Sequence, residues 1–404
     1  MSLVVQKFGG TSVADADRIR DVADHVARCR RRGDDVVLVV SAMGKETDEL
    51  LRLASEVSTS MPGREMDLLI TAGERKACAL VAMALHDVDV PSASFTGSQA
   101  GFLTDGNHRD AKILEINPYR IREAIDEGMV PIVAGSQGVS PDKDVTFLGR
   151  GGSDTTAVAL AHVLEADSCE LYTDVSGVFT TDPRVVSNAR KITTVSFDEL
   201  LEMTAVGCPK PAMRSVEVAR AFNVPLHVRS AFTWESGTWV AEEDPTMEQA
   251  VVTAVVPDTS ESKVTVSGVP DRPGIAAGLF RALADVGVNV DMIVQNASEA
   301  GVTDISFTVP REQILLAADI TAERVPDESC TVTTDAEVGR VSLVGAGMKS
   351  NPGVAAKMFE TLAGNDINIE MISTSAIRIS CVVRDTDVDL ATQALHDAFS
   401  LSTP

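Results

Sequence analysis

The sequence predicts an α/β protein in which a mostly parallel sheet covered by helices is followed by two small α/β units of one design. Three observations predict it. Short β-branched runs alternate with helix-length amphipathic stretches up to about residue 245. Glycine turns leave two of those runs, at 7–12 and 149–156. Beyond 245 the chain repeats itself at an offset of about 79 residues.

Taken in order, 3–5 and 36–40 read as buried strands and 15–31 between them as a helix, which is βαβ grammar. Residues 130–134, 169–173 and 226–228 are further short apolar strands, separated by helical stretches such as 155–164 and 217–222. The rhythm is lost over 234–247, where Gly237, Trp239, Pro245 and the run Glu242-Glu243-Asp244 read as a connection, so a boundary is expected near 245. The repeat then begins. Asp271-Arg272-Pro273-Gly274 leads through Phe280 and Leu283 to Asn289-Val290-Asp291-Met292-Ile293, and Ser350-Asn351-Pro352-Gly353 leads through Phe359 and Leu362 to Asn368-Ile369-Glu370-Met371-Ile372.

In each copy a strand (263–266; 340–344) meets a Pro-Gly turn, an amphipathic helix, a second strand opening with Asn, and a third strand (304–308; 376–383). The expected division is 1–245, 246–335 and 336–404. The apolar helix stripes of the repeats read as core. Asp271 and the pairs Asn289/Asp291 and Asn368/Glu370 instead place polar groups at a helix N-terminus and a strand start, where a zwitterionic amino acid can be held.

The formal charge of −24 would repel a polyanion, which argues against a nucleic-acid partner. Cys29, Cys78, Cys169, Cys208, Cys330 and Cys381 are scattered without C-x-x-C or Cys/His clusters, so neither a disulfide framework nor a metal site is indicated, and a reducing compartment fits. No apolar run approaches the roughly 20 residues of a membrane span. A cytoplasmic protein is expected.

Two turns carry the phosphate signal. In Lys7-Phe8-Gly9-Gly10-Thr11-Ser12 the glycines let backbone approach an anion, Thr11 and Ser12 can cap a following helix, and Lys7 supplies a mobile charge. A purely structural turn remains the alternative. In Gly149-Arg150-Gly151-Gly152-Ser153-Asp154 a guanidinium and a carboxylate stand at opposite ends of one tight loop, able to clamp a carboxylate and to meet an ammonium or order a metal–phosphate group. The alternative there is an internal Arg150/Asp154 ion pair. Glu74 falls at the edge of one helical stripe running from Met66 to Ala84, either exposed or partly buried against a positive partner. Ser41 follows the strand 36–40 at its carboxyl end, with Thr47 expected in the loop beyond. The run 173–184 after another strand suggests a nucleotide-holding loop.

These motifs together, KFGGTSV, VVSAMGKETDELL, TAGER, SFTGSQAG, GRGGSDTTAVALA and TDVSGVFTTDPR, resemble the successive signatures of aspartate kinases in the amino acid kinase family. The tandem repeat resembles that family's two ACT domains, and the likeness is greatest to the short bacterial type inhibited by lysine and threonine together. The resemblance covers the whole chain. It implies a three-layer amino acid kinase fold followed by two ferredoxin-like ACT domains of βαββαβ order. It implies ATP-dependent phosphorylation of aspartate at the head of lysine, threonine and methionine biosynthesis, with Mg²⁺ on the phosphates and a homo-oligomer formed through the ACT units.

The resemblance assigns ATP contacts to Lys7, Phe8, Gly9, Gly10, Thr173, Asp174, Phe179, Arg184 and Lys210, and places Ser41, Thr47, Glu74, Arg150, Ser153 and Asp154 around aspartate. Lys7, Arg150, Asp154 and Lys210 would be the catalytic set. Effector contacts would fall on Asp271, Asn289, Asp291, Gln295, Asn368, Ile369, Glu370, Ser373 and Thr374.

Two departures stand out. The family commonly has Tyr where this chain has Phe179, a lost hydroxyl worth about 1 kcal/mol. After Gly207 the chain reads Cys208-Pro209-Lys210-Pro211, so ungapped alignment sets Pro209 on the family's lysine, and Lys210 substitutes only if the loop shifts. Slower turnover or weaker ATP affinity is the expectation. Another acceptor, glutamate or acetylglutamate, would need a remade pocket. A catalytically weak amino-acid sensor is the reading from a different class. A nicotinamide enzyme is disfavoured by the missing G-x-G-x-x-G.

Overall fold

The computed structural model describes residues 2–242, 251–296, 301–325 and 330–403, so the expected boundary at 245 lies outside the described residues. The chain forms two compact units. The first holds the residues up to Val178, then Lys191–Ala205 and the stretch from Pro209; the second holds Phe179–Arg190, Val206–Cys208 and the C-terminal part.

The first unit is built on an eight-stranded sheet in the order Thr194–Ser196, Thr238–Ala241, Leu226–Ser230, Ser168–Thr173, Leu3–Phe8, Asp35–Val40, Val130–Ala134, Ser92–Phe95. All neighbours are parallel except Thr238–Ala241 against Leu226–Ser230. Val36, Leu38 and Val40 join one core with Ile19, Val22 and Val81 from the helices Ala16–Arg32 and Ala72–Asp87, while Val37 and Val39 are buried on the opposite face, where the helix Gly152–Leu164 packs. Burial on both faces is why these strands read as continuous apolar runs.

A largely buried carboxylate network sits on this sheet. Glu170 accepts from Arg229 Nη1 (2.8 Å), Gln6 Nε2 (2.8 Å) and Tyr172 Oη (2.9 Å). Burial alone would raise its carboxyl, but hydrogen bonding from His227 and the Arg229 guanidinium hold it down to about 2.

A smaller sheet, Ile113–Ile116, Phe102–Thr104, Gln137–Val139, Val145–Phe147, was not expected from the sequence. Its strands are three or four residues long, too short to show a period of two.

The second unit holds two four-stranded sheets. Ile293–Gln295, Val302–Pro310, Glu261–Pro270 and Thr331–Asp335 form one; Ala254–Asp258, Val338–Val344, Arg378–Arg384 and Met371–Thr374 form the other. With the helices Ile275–Asp285 and Ile314–Arg324 the first copy is a complete βαββαβ unit. The second copy takes its outer strand from ahead of the first: Ala254–Asp258 pairs antiparallel with Val338–Val344, from Ala254 opposite Val344 to Asp258 opposite Arg340. The division 246–335 therefore assigns that strand to the wrong sheet. Pairing decides it, since Val255 belongs to the core of the second copy, with Val341, Leu343 and Leu395. The second strands start at Ile293 and Met371, later than Asn289 and Asn368.

The two copies are joined by matching ion pairs. Lys263 on the first strand of one copy pairs with Glu370 of the other, and Arg340, at the corresponding place in the second copy, pairs with Asp291 of the first. Segment Phe179–Arg190 is bound into the same unit: Val255 N donates to Thr180 O (2.8 Å), and Thr180 Oγ1 shares a hydrogen bond with His396 Nε2 (3.0 Å) on the helix Val388–Ala398.

Candidate active site

Register in the large sheet sets Phe8 opposite Val40 and Tyr172, so Gly9, Ser41 and Thr173 leave three parallel strands side by side at their carboxyl ends. Backbone bonds fasten them: Gly9 N donates to Tyr172 O (3.3 Å) and Ser41 N to Phe8 O (3.1 Å). Ring stacking of Phe8 on Tyr172 (centroids 4.8 Å apart) braces the base of the site from within the core. Gly10 is required by close approach, since a Cβ there would lie 2.8 Å from Ala42 O and 3.0 Å from Gly44 O.

The first glycine turn does not feed an α-helix directly. It enters the short 3₁₀ turn Gly10–Val13, and the helix Ala16–Arg32 is capped by Asp15, whose Oδ1 accepts from Arg18 N at 2.9 Å. Thr11 and Ser12 therefore do not cap it; Thr11 is exposed and Ser12 is buried, its hydroxyl without a hydrogen-bond partner among the described residues. The second turn behaves as expected: Gly151, at φ +73°, immediately precedes the helix Gly152–Leu164. Ser153 is buried there against Ser136 Oγ at 2.9 Å.

Lys7 and Asp154 meet. The Lys7 ammonium lies 2.6 Å from Asp154 Oδ1, both side chains buried, and Asp154 Oδ2 accepts from Ala212 N at 3.1 Å. Burial alone would raise the Asp154 carboxyl; the Lys7 charge and bond, the Ala212 N–H and the Lys210 charge outweigh it and hold the carboxyl below its ordinary range. The ion pair in this loop is thus Lys7–Asp154. Arg150 does not close on Asp154: its guanidinium is 93% exposed, with Asp48 4.0 Å away. Lys210 brings its charge within electrostatic reach of Asp154 despite its flanking prolines, which the ungapped alignment left open.

Two expectations near the acceptor side are corrected. Thr47 lies in the first turn of the helix Glu46–Val57 rather than in a loop; Glu46, Asp48 and Glu49 in that turn suit the positive helix end. The stripe 66–84 is two helices, Gly63–Ile70 and Ala72–Asp87, joined at Thr71, so Glu74 occupies a first turn and is buried rather than at a shoulder. Burial pushes its carboxyl up to about 7, opposed by backbone N–H bonds from Glu74 itself and Ala42 and aided by Glu46.

On the nucleotide side, Thr173 ends its strand and accepts from Val175 N (3.1 Å), and Asp174 is exposed. Phe179 and Arg184 belong to the second unit, where Arg184 Nη2 lies 2.6 Å from Asp182 Oδ2.

Of the effector residues, Asp271 and Gln295 line a cavity of about 300 Å³ with Gly274 and Thr303 in the first repeat. Asp291 and Glu370 are held in the ion pairs to Arg340 and Lys263, with Glu370 also 3.2 Å from Arg384. Ser373 and Thr374 lie on the strand Met371–Thr374, Ile369 packs on the core of its repeat, and Asn289 and Asn368 are exposed. Sequence reasoning missed Asp67, Arg214, Lys263 and Arg340, charged residues with no motif to mark them.

The amino acid kinase family profile matches residues 2–230, and an ACT domain profile matches 264–324 and 341–399. Over 407 aligned residues the chain is 55% identical to the aspartokinase of Mycolicibacterium smegmatis, covering 99% of this chain and 97% of that one. The chain belongs to the aspartokinases of the amino acid kinase family. Identity to the Corynebacterium glutamicum aspartokinase is 54% with the same coverage. Among solved structures, E. coli aspartokinase III in complex with aspartate and ADP, in its R-state, superposes with a TM-score of 0.83 at 25% identity, covering 98% of this chain and 99% of that one. The same enzyme with lysine and aspartate, in its T-state, gives 0.76 at equal identity and coverage. Among the described residues no helix of this aspartokinase is long and apolar enough to cross a membrane.

Proposed function

We infer that the chain transfers the γ-phosphoryl group of ATP to the side-chain carboxylate of L-aspartate, giving 4-phospho-L-aspartate, under feedback control through its ACT repeats. The observation that carries this is the buried Lys7–Asp154 ion pair between two glycine turns, in a chain 55% identical over nearly its whole length to an aspartokinase. A carboxylate acceptor is ionised at pH 7, so attack on phosphorus needs no general base; charge compensation and alignment are what the protein supplies.

In this reading Lys7, steered by Asp154, and Lys210 offset charge on the transferring group, while Gly9 and Gly10 admit the phosphates. The buried, unpartnered hydroxyls of Ser12 and Thr155 beside the two turns fit a phosphate-bearing ligand. Arg150 holds the α-carboxylate, Glu74 meets the ammonium, and Ser41, Thr47 and Ser153 orient the side-chain carboxylate. With both oxygens engaged, Asp154 serves Lys7 rather than the ammonium. Thr173 and Asp174 hold the rest of the nucleotide within the first unit. Mg²⁺ brought in with the nucleotide would supply further charge compensation beside Lys7 and Lys210.

Regulation follows from ligands such as lysine or threonine favouring one arrangement of the repeats, an effect of ~1–3 kcal/mol. The Asp271–Gln295 cavity supports one such site. We also assign a homo-oligomer through the ACT units, a cytoplasmic location and a kinase domain ending near 245.

The deciding assay traps acyl phosphate as the hydroxamate, with aspartate, glutamate and acetylglutamate as competing acceptors. Aspartate-specific product, lost in Lys7→Ala, is expected. No product, with calorimetric binding of threonine or lysine intact, would instead mark the chain as a sensor.

A further inference from the structure

Arg150 poses a physical problem. Its side chain is 93% exposed, with Asp48 4.0 Å from the guanidinium, yet a clamp for a small zwitterion must be aimed. The aim has to come from the backbone of the Gly149-Arg150-Gly151 turn, and the structure shows what fixes that backbone.

Asp67, on the helix Gly63–Ile70, is fully buried. Its carboxylate accepts from Phe147 N (2.9 Å), from Arg109 N (3.0 Å) and from His108 Nδ1 (2.8 Å). Phe147 ends the strand that leads into the turn, and the 109–110 backbone lies against it: a Cβ on Gly149 would sit 3.4 Å from Arg109 O and 3.3 Å from Asp110 Oδ1. From the other side Arg214 forks across the same two segments, donating from Nη1 to Leu148 O and from Nη2 to Ala111 O, each at 2.8 Å. Ala111 N donates to Phe147 O (2.9 Å) and closes the bracket. A buried carboxylate thus holds the N–H of residue 147 and a guanidinium the carbonyl of residue 148, immediately before the turn. A carboxylate and a guanidinium on the backbone of consecutive residues make a stiff mount, because charge-assisted hydrogen bonds are the strong ones.

We propose that Asp67 and Arg214 are positioning residues that aim Arg150 at the α-carboxylate of the amino-acid substrate and so set affinity for it. Neither touches substrate. The proposal rests on the assignment of Arg150 as the α-carboxylate clamp.

The test uses the full chain with Asp67→Asn, Arg214→Lys, Arg150→Ala and the doubles Asp67→Asn/Arg150→Ala and Arg214→Lys/Arg150→Ala. Asparagine keeps the shape but presents N–H to at least one of three donors; lysine keeps the charge but loses the fork. Asp67→Asn and Arg214→Lys should each raise KM for aspartate about tenfold to a hundredfold, with KM for ATP within about twofold and kcat at saturating aspartate little changed. In the Arg150→Ala background each should add nothing further. A purely structural role would move both substrates' KM and add in the doubles, which overturns the proposal, as does an unchanged KM for aspartate in both singles. An unchanged KM in Arg150→Ala alone refutes the clamp assignment itself, a separate failure.

Discussion

With Glu74 as the proposed partner of the substrate ammonium, the acceptor site becomes a proton-linked one. The Glu74 carboxyl is pushed to about 7 by burial, against an ordinary 4.5, so near neutrality half the empty enzyme carries it protonated. The raised value also means that Glu74 contributes stability fully present below about pH 4.5 and lost as pH rises through 7. By linkage the loss amounts to about 3 kcal/mol. An ammonium bound against the carboxylate reverses that preference, so aspartate selects the ionised form. The ionised fraction is about 0.1 at pH 6 and about 0.9 at pH 8, so the Kd for aspartate should be about tenfold weaker at pH 6. Calorimetry of aspartate binding at pH 7 in two buffers of different ionisation enthalpy should then report release of about half a proton per site. Glu74→Gln should weaken binding and flatten both signals. Binding equally strong at pH 6 and pH 8, with no proton released, would refute Glu74 as the ammonium partner; so would Glu74→Gln retaining the wild-type slope.

Three further outcomes follow from contacts already described. Gly10→Ala should push the 41–44 backbone aside, since Ala42 O would lie 2.8 Å from the new Cβ; steady-state kinetics should show KM raised for ATP and aspartate together, with a stability loss of about 1–3 kcal/mol. Arg340→Met should lower the urea midpoint followed by circular dichroism, by a loss of about 3–5 kcal/mol, because Asp258, Glu261 and Asp291 would be left around a buried site without their cation. Lys263→Met, from a partly exposed pair, should cost less. His396→Leu removes one of two partners of the buried Thr180 hydroxyl, leaving the donation from Arg190 N (3.0 Å), so the urea midpoint should fall by a loss of about 1 kcal/mol; an unchanged midpoint would show that this bond adds nothing to stability.

The parallel sheet, the repeat and both glycine turns were legible because each is written in local sequence: apolar runs of strand length, a Pro-Gly turn at fixed offset, glycines where backbone must come close. What escaped is non-local. Nothing in 254–258 says that it pairs with 338–344 across the whole first repeat, because its alternation fits either sheet equally well. Glu74 reads as a stripe-edge residue, exposed or partly buried, because one continuous helix sets it a turn on from Ile70; the break at Thr71 makes it a first-turn position of a second helix instead.

Asp67 shows the limit most clearly. An acid between Met66 and Leu68 reads as a solvated helix position, yet it is fully buried because three donors from segments some 40 and 80 residues away converge on it. Burying an unpaired carboxylate there would be costly, so the docked helix Gly63–Ile70 and the placement of the loop at 108–109 and the strand end at 147 stabilise one another. The acid therefore makes the helix and the mount of the Arg150 turn conditional on one another. A residue whose meaning lies in that mutual dependence has no signature in its neighbours, and only the assembled fold displays it.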